Sequence, residues 1–398
     1  MPHRPIEILH LTFSHYPADT RVKRETQALR ATGRRVAVIA LRGAGERPVE
    51  RCGGVLTVRV PSRKTRGGFL AYLRDYLVFV ARCRRLVARH RRLAHVRVVH
   101  VHTLPDFLLW AALPARRRGA RVVLDMHEIF PEFARAKFGG LAGRVLEAVA
   151  RRVERWARRR ADVTITVNRP IDDLLARRAI GRPERRLVLH NTADPADFGT
   201  ETGSGRDGGP IPGPLALVYH GTLTHMYGLD IAIRGVAEAR RRGISVRLSI
   251  IGDGPEHEAL VTLSGQLLGA DGVRFEPPLP QAALPARLKD SDAGVVPTRL
   301  DGMTRYSLSN KLLEYIHLGI PVLAARLPSY AGYFSDDAAW YWTPGDPADL
   351  ARAIAEFVAT PVAERRRRAQ RARDALAPFA WARERERLLN AYRELLAV

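Results

Sequence analysis

The chain has 398 residues, of which 46% are hydrophobic, and this is enough for two domains with ordinary cores. No apolar run reaches 18 residues, so we expect no transmembrane helix. Cys52 and Cys83 have no metal or redox spacing, so we expect no disulfide. The first residues, MPHRPIEILHLTF, predict a strand rather than a signal peptide, and we expect a cytoplasmic protein.

The formal net charge of +24 is concentrated in the first half of the chain. Residues 1–200 contain 41 Lys and Arg against 18 Asp and Glu, whereas residues 201–398 contain 24 against 23. Such an uneven basic surface predicts an anionic partner, either a membrane or a nucleic acid. Nucleic acid would require aromatic stacking or groove-reading elements, which the sequence does not clearly contain, so we expect no nucleic-acid partner.

Short apolar runs alternate with helical patterns along the chain and predict repeated βαβ units. The runs are apolar throughout rather than alternating, as buried parallel strands are. In the first half they are EILHLTF, RVAVIAL, VLTVRV, HVRVVHVH, RVVLDM, DVTITV and RLVLHN. In the second half they are LALVYHG, VRLSIIG, VRFEPP, AGVVPT, PVLAA and AWYW. The predicted class is therefore α/β, with doubly wound sheets.

Two long helical patterns in the first half are strongly basic. Residues 63–92 carry ten Lys and Arg, and residues 141–160 carry Arg144, Arg151, Arg155, Arg158 and Arg159 on one side. The apolar positions are Phe69, Tyr72, Leu73, Tyr76, Leu77 and Val80 in the first helix and Val145, Val149, Val153 and Trp156 in the second. One interpretation is a core stripe backed by a solvated Arg face. The other is an interfacial helix against anionic lipid.

A segment rich in Gly, Pro and Ser separates the two halves. Residues 199–214 contain ten such residues, and the charge balance changes there. We therefore predict one domain at residues 1–190, an interdomain linker at 191–214 and a second domain at 215–378. Two Rossmann-like domains facing a central cleft are the expected architecture.

The stretch SLSNKLLEYIHLGIPVLAA, residues 307–325, contains a short helical pattern that Asn310 can cap. Glu314 lies inside it, one turn after Lys311, and a carboxylate in an apolar helix needs a partner. An ion pair with Lys311 on a solvated face is one interpretation. The other is a nucleotide site, with phosphate at the helix start beside Lys311 and ribose hydroxyls on Glu314.

Two glycine-containing turns follow other predicted strands. In IIGDGPE, Gly252 and Gly254 would let a ligand approach the backbone closely. In VYHGTLTHMYGLD, Gly221 and Thr222 would open a second anion-binding turn. Each segment alone is explained equally well as an ordinary turn.

In combination these segments resemble glycosyltransferase family 4, and the resemblance covers most of the chain. It is carried by IIGDGPE, VVPT, SNKLLEYIHLGIPVLAA, LHNTADPADF, HYPADTRVKRETQALRATGRRVAVIAL, DMHEIFPE and the tail FAWARERERLLNAYREL. The resemblance implies a GT-B fold, a nucleotide-diphosphate-sugar donor held by the second domain, and transfer with retention of anomeric configuration. It also implies that a terminal helix at residues 379–398 packs back on the first domain.

The resemblance also implies roles for individual residues. His127 matches the histidine near the transferred sugar, and Glu314 matches the glutamate that binds the donor ribose. The predicted catalytic residues are His127, Lys311 and Glu314. The predicted donor-binding residues are Gly221, Thr222, Gly252, Asp253, Gly254, Arg305, Ser309, Asn310, Lys311 and Glu314. The predicted acceptor or phosphate contacts are Asp19, Arg21 and Glu128.

Three positions depart from the family pattern. Tyr306 stands where many members have the first of two glutamates, so Asp301 or the SLS backbone would have to hold the donor sugar. Thr222 and Tyr227 stand where many members have Arg and Lys. The groups left to neutralise the diphosphate would be Lys311, Arg305, Arg21 and backbone amides.

No cofactor or metal is expected. His100 and His102 alternate along a strand, so we expect one on each side or in the cleft, and no third ligand has suitable spacing. The expected partners are a nucleotide-diphosphate sugar, a sugar or lipid-linked acceptor and an anionic membrane surface, on whose inner face the enzyme would be peripheral. Two alternatives stay open: a degenerate nucleotide- or membrane-binding protein without transferase activity, and a nucleotide-sugar 2-epimerase on the same fold.

Overall fold

The computed structural model describes residues 5–61, 69–180, 185–199, 213–269 and 272–397, without the side chains of residues 69–72 and 136–138. The chain forms two compact units. The first, here called the N-terminal unit, comprises Met1–Asn191 with Ala382–Val398, and the second, the C-terminal unit, comprises Thr192–Trp381. The division falls at the start of the predicted linker, whose residues 200–212 lie outside the described part of the chain.

An eight-stranded sheet forms the centre of the N-terminal unit. Its strands are β1 (Ile8–His15), β2 (Val36–Leu41), β3 (Val49–Cys52), β4 (Val55–Val60), β5 (Val98–His102), β6 (Arg121–Met126), β7 (Val163–Thr166) and β8 (Arg186–Val188). The order is β3-β4-β2-β1-β5-β6-β7-β8, and only β3, at the edge, is antiparallel to its neighbour. Because the order reverses between β1 and β5, the sheet is doubly wound, as predicted.

Helices connect the parallel strands of this unit. They are α1 (Thr20–Ala31), α2 (Phe69–Arg89), α3 (Leu113–Arg116), α4 (Phe130–Phe138), α5 (Gly140–Arg158) and α6 (Arg169–Arg177). Asp19 begins α1, because its carboxylate accepts a hydrogen bond from the Val22 amide. Asn168 begins α6 in the same way, through the Ile171 amide.

A six-stranded parallel sheet forms the centre of the C-terminal unit. Its strands are β9 (Leu215–His220), β10 (Val246–Ile251), β11 (Val273–Glu276), β12 (Ala293–Val296), β13 (Val322–Ala325) and β14 (Trp340–Trp342). The order β11-β10-β9-β12-β13-β14 is that of a Rossmann fold, with the reversal between β9 and β12. Both units thus confirm the predicted α/β class and the two Rossmann-like domains.

The helices of the C-terminal unit cover both faces of its sheet. They are α7 (Pro195–Phe198), α8 (Leu229–Arg241), α9 (His257–Leu268), α10 (Leu284–Lys289), α11 (Asn310–His317), α12 (Pro328–Ala331), α13 (Pro347–Ala359) and α14 (Val362–Leu376). The last helix, α15 (Trp381–Ala397), belongs to the N-terminal unit from Ala382 onward. There the Tyr392 hydroxyl lies 2.7 Å from His100 Nδ1, so the end of the chain packs against β5.

Several expectations about single elements were wrong. Ser309, not Asn310, precedes α11 as the capping residue. Part of the predicted linker is structured, because α7 packs Phe198 into the core of the C-terminal unit. The expectation about membrane-spanning helices is different, because it agrees with the structure: none of the described helices has both the length and the apolar composition needed to cross a bilayer.

The two basic helices agree with the core-stripe interpretation only in part. On α5, Val145 and Val149 are 56% and 50% exposed, and Leu141 is 77% exposed, so the first half of this stripe faces away from the core, whereas Val153 and Trp156 are half-buried. Arg158, in contrast, is buried and pairs with Glu154 at 3.1 Å. On α2, Leu77 is 53% exposed; the buried side is formed by Asp75, Phe79, Val80, Cys83 and Val87. Residues 63–68 and the side chains of Phe69 and Tyr72 lie outside the described part.

Candidate functional site

Two glycine turns meet at the carboxyl ends of β9 and β10, next to the reversal of strand order. A Cβ on Gly252 would lie 1.9 Å from the carbonyl oxygen of Gly221. One on Gly254 would lie 2.4 Å from the carbonyl oxygen of Leu223. The Leu223 amide donates to the Asp253 carbonyl at 3.0 Å. The predicted glycines are therefore required by the contact between the two loops, where open α/β sheets bind their ligands.

Lys311 lies across the first of these turns. A Cβ on Gly221 would stand 2.5 Å from Lys311 Cε, and Gly221 has a φ of +120°. The Lys311 ammonium is 3.8 Å from the ring centre of Tyr227 and 5.1 Å from that of Tyr219. Burial lowers the pKa of Lys311 to about 8, although the Glu314 carboxylate opposes this shift.

Glu314 faces a histidine. Its Oε2 is 3.1 Å from Nε2 of His220, the buried last residue of β9. The Glu314 side chain is 21% exposed, so it still reaches a ligand that approaches the end of the strand. The ion pair with Lys311 considered from the sequence is therefore not the contact that Glu314 makes; its carboxylate faces His220, and the Lys311 ammonium lies over the Tyr227 ring.

The start of α11 lies next to this carboxylate and ammonium. Ser309 makes no side-chain capping bond, so the first amides of the helix receive no acceptor from it. Asn310 and Arg305 are exposed. Asp301 accepts from the amides of Met303 and Thr304, each at 2.7 Å, so its carboxylate shapes the loop before the helix. Tyr306 is half-buried in the same loop.

In the N-terminal unit, His127 follows β6 and contacts Asp125. His127 Nε2 lies 3.0 Å from Asp125 Oδ2, and the His127 side chain is 23% exposed. Burial alone would disfavour the charged ring, but the Asp125 carboxylate outweighs it and raises the pKa of His127. Burial would likewise raise the pKa of Asp125, yet Arg21 and His127 hold it well below its ordinary value.

Arg21 donates hydrogen bonds within the N-terminal unit. Its Nε and Nη2 donate to Asp125 at 2.9 and 2.8 Å, and its Nη1 donates to the Leu189 carbonyl at 2.9 Å. The residue is 3% exposed, so its guanidinium is engaged here rather than offered to a phosphate, contrary to the expectation. Asp19 caps α1, and Glu128 is exposed next to His127.

Behind Asp125 lies a stack of three buried histidines. His100 and His102 lie on the same side of β5, because residues two apart share one face of a strand, so the expectation that they point to opposite sides was wrong. Their ring centres are 4.3 Å apart and the planes differ by 9°, and His10 from β1 stacks on His100 at 4.7 Å. Burial lowers the pKa of His102 to about 3, and that of His10 falls well below its ordinary value.

Two groups in this region have ligand atoms close enough to hold a metal ion. His10, Glu25, His100 and His102 form one group, and His102, Asp125 and His127 form the other. A ligated metal lies near the plane of each imidazole, and two parallel planes one stacking distance apart share no such point. Asp125 is moreover held by Arg21 in a bidentate pair. Each group therefore has an obstacle to coordination: the parallel rings of His100 and His102 in the first group, and the pairing of Asp125 with Arg21 in the second.

The sequence analysis missed the partners of the candidate residues. Asp125 is two residues before His127, and His220 directly precedes Gly221, so each lay beside a predicted residue. These contacts could not be predicted because they form only when distant parts of the chain fold together. The Arg21–Asp125 and His220–Glu314 pairs join residues about a hundred positions apart.

Comparison with known proteins matches both halves of the chain to glycosyltransferase domains. Residues 206–375 match the family model "Glycosyl transferases group 1", and residues 18–192 match the "Glycosyl transferase 4-like domain". D-inositol 3-phosphate glycosyltransferase of Acidothermus cellulolyticus is 32% identical over 206 residues, which are 48% of this chain and 43% of the relative. Across the first curated relatives, the match spans about a third to a half of the relative's own length.

Solved structures show the same fold over nearly the whole chain. Sucrose-phosphate synthase from Thermosynechococcus elongatus gives a TM-score of 0.79 at 17% identity and covers 98% of this chain and 99% of that one. The Anabaena protein Alr3699/HepE in complex with UDP-glucose gives 0.71 at 16% identity and covers 98% and 100%. The chain therefore has the GT-B fold. Its first half is similar to a 4-like glycosyltransferase domain and its second half to a group 1 domain.

Proposed function

We propose that the protein is a retaining glycosyltransferase of family 4 that moves a hexose from a nucleotide-diphosphate sugar to an acceptor hydroxyl. The observation that carries the proposal is the placement of Lys311 and Glu314 on one short helix against the paired glycine turns. An ammonium beside free helix amides suits a diphosphate. A partly exposed carboxylate one turn away suits vicinal ribose hydroxyls.

The chemistry this arrangement can perform is electrostatic. When the sugar–phosphate bond breaks, negative charge grows on the departing diphosphate. Lys311 and the first amides of α11 stabilise that charge, and exposed Arg305 adds to the local positive potential. The departing phosphate oxygen can take the proton of the acceptor hydroxyl, so the transfer needs neither a carboxylate pair nor a metal ion.

Tyr227 and Thr222 occupy positions where many family members have a cation. Tyr227 instead places its ring against the Lys311 ammonium. An aromatic face attracts a cation, so the ring supports a charge that burial disfavours. One supported lysine thus takes a larger share of the diphosphate charge in this protein.

For the acceptor we propose a lipid-linked or cell-surface glycan precursor at an anionic membrane. On α5, exposed Leu141, Val145 and Val149 share one helix side with Arg144 and Arg152, which are also exposed. We call these five residues the α5 surface. Apolar side chains flanked by arginines favour the interface of an anionic bilayer over a buried core.

A basic cavity in the same unit is consistent with an anionic acceptor. Arg42, Arg74 and Arg82 line a cavity of about 520 Å³ together with Val78, and among the described residues that line it Asp75 is the one acid. A phosphate of a lipid-linked acceptor matches this excess of positive charge.

The test of the donor site is a thermal-shift panel with UDP, GDP, ADP and dTDP on the wild type and on Glu314→Ala. A nucleotide at about 100 times its Kd adds about 2.7 kcal/mol of stability. We expect one nucleotide to stabilise the wild type and to lose most of that effect in the variant, whose fold should persist because Glu314 is partly exposed. Stabilisation by none of the four would favour a degenerate binding protein, and turnover of a nucleotide sugar without an acceptor would favour an epimerase.

A further inference from the structure

Asp125 is the centre of the ionic contacts around His127. The residue is fully buried at the end of β6. Its Oδ1 accepts from Arg21 Nη2 at 2.8 Å, and its Oδ2 accepts from Arg21 Nε at 2.9 Å. The same Oδ2 lies 3.0 Å from His127 Nε2 and 3.1 Å from His102 Nδ1. Because Arg21 fixes both oxygens, the direction from which His127 approaches is fixed as well.

The groups behind His127 leave it as the ring that carries the proton. Burial and their neighbours lower the pKa values of His102 and His10, which favours the neutral form of both rings. His102 Nδ1 also lies 3.1 Å from His127 Nε2. The charged groups that face His127 are Asp125, Arg21, Asp19 and the neighbouring Glu128, and the carboxylates outweigh the guanidinium. Burial raises the pKa of the Glu25 carboxyl, although the charge of Arg21 opposes this shift.

We propose that Asp125 is the positioning residue for His127 in the transfer reaction proposed above. Asp125 accepts the Nε2 proton of the ring, and this leaves Nδ1 as the nitrogen available to the substrate. A doubly protonated ring donates from Nδ1 to an anionic or hydroxyl oxygen of the sugar or phosphate. Arg21 supports the same arrangement by holding Asp125 ionised, which gives this buried arginine a role other than phosphate binding.

The test is a double-mutant cycle: the effect of Asp125→Asn on kcat/KM is measured once in the otherwise wild-type protein and once in the His127→Gln variant. We expect the single change to lower kcat/KM by about 100-fold, because loss of a carboxylate partner misplaces a catalytic histidine. In the His127→Gln background the same change should add less than about 3-fold, because no ring is left to position. Asp172→Asn is the matched control and should retain full activity, because the half-buried Asp172 pairs with Arg186 at 2.8 Å, away from His127.

A pH profile separates positioning from a merely structural role. His127 keeps its charge below its raised pKa and loses it as the pH rises, so kcat of the wild type at saturating donor should fall on the alkaline side. In Asp125→Asn that fall should move to lower pH. An unchanged profile, or equal losses in both backgrounds, would overturn the proposal.

Two further measurements cover the remaining outcomes. If Asp125→Asn does not fold, ¹⁵N-edited NMR of the His127 ring in the wild type tests whether His127 is paired with Asp125. A proton on Nε2 and titration above the ordinary histidine range support the pairing, and titration at or below that range contradicts it. The nucleotide affinity of Asp125→Asn should equal that of the wild type, because Lys311 and Glu314 lie in the other unit. If the wild type transfers no sugar but the NMR result still shows His127 paired with Asp125, then the proposed function is wrong and the Asp125–His127 pairing is supported.

Discussion

The Lys311 ammonium lies 3.8 Å from the ring centre of Tyr227 and 5.1 Å from that of Tyr219. The C-terminal unit therefore presents a half-buried lysine supported by an aromatic face. Because burial lowers the pKa of Lys311 to about 8, its charge state changes within the working range of pH.

We predict that nucleotide affinity depends on pH through Lys311. The side chain is fully charged well below pH 8 and neutral well above it, and a diphosphate binds the charged form. Affinity for the stabilising nucleotide should be constant below about pH 7 and fall by up to about tenfold per unit above pH 8. Isothermal titration calorimetry from pH 6 to 9.5 measures this.

Lys311→Met is the variant that tests the assignment. It should bind weakly and show a flat profile over the same range. Lys289→Met, in α10 of the same unit, is the control and should keep the wild-type profile. A slope that persists in Lys311→Met would show that another group titrates.

A second prediction concerns the contact between the two glycine turns. A methyl group on Gly252 would collide with the Gly221 carbonyl at 1.9 Å, and the φ of +153° is unfavourable for alanine. We expect Gly252→Ala to lower the free energy of unfolding by about 3 kcal/mol or more and to abolish nucleotide binding.

Gly265→Ala is the matched control in the exposed middle of α9, where an added Cβ would meet nothing within 4 Å. It should stabilise the protein by about 0.5–1 kcal/mol, because alanine is the better helix former. Urea unfolding of both variants measures the two changes. Similar stability of Gly252→Ala and the wild type would mean that the loops separate easily.

The sequence predicted most strands because buried parallel strands are apolar runs. The edge strand β3, VERC, escaped notice because it is short, half polar and antiparallel. The stripe on α5 had the spacing of a core helix, and spacing alone does not tell which side meets the sheet. The structure shows that Val145 and Val149 are exposed and therefore do not face the sheet.

The candidate site residues could be predicted where the functional side chains lie together in one short segment. Lys311, Glu314 and the glycine turns are local patterns with a direct physical meaning. Arg21 was misjudged because an arginine in a loop-to-helix segment is usually solvated, and nothing in the segment reveals a carboxylate 104 residues later. Likewise, Tyr227 was recognised as a departure, but its contact with Lys311 was visible only in the structure.

We predict that the α5 surface binds anionic membranes. The triple change Leu141→Ser, Val145→Ser and Val149→Ser should weaken binding to phosphatidylglycerol-containing vesicles by at least about tenfold, because it removes apolar area that would enter the interface. The thermal midpoint should stay within about 2 °C, since these side chains are exposed. Val261→Ser, at a 42% exposed position on α9, is the control.

Vesicle sedimentation at 20 and 300 mM salt measures this binding. Salt should weaken the wild-type interaction, because arginine–lipid attraction is screened. Equal binding of the triple variant and the wild type at low salt would remove α5 from the interface. Binding to neutral vesicles as strong as to anionic ones would contradict the role of the arginines.

The last prediction concerns the attachment of α15 to the N-terminal unit. Glu384 is fully buried and accepts from the backbone amide and from Nδ1 of His190, each at 3.1 Å, while Arg387 donates to it at 2.8 Å. Glu384→Ala leaves the His190 amide and ring without their acceptor. We expect a loss of about 2–4 kcal/mol in the free energy of unfolding.

Glu386→Ala is the control, because Glu386 is exposed on the same helix, and it should change stability by less than about 0.5 kcal/mol. Glu384→Gln should lie between the two variants, since an amide oxygen still accepts from the His190 amide but carries no charge for Arg387. Chemical unfolding of the three variants gives the order. If Glu384→Ala and Glu386→Ala were equally stable, α15 would be held by its apolar contacts and the hydroxyl of Tyr392 rather than by the buried carboxylate.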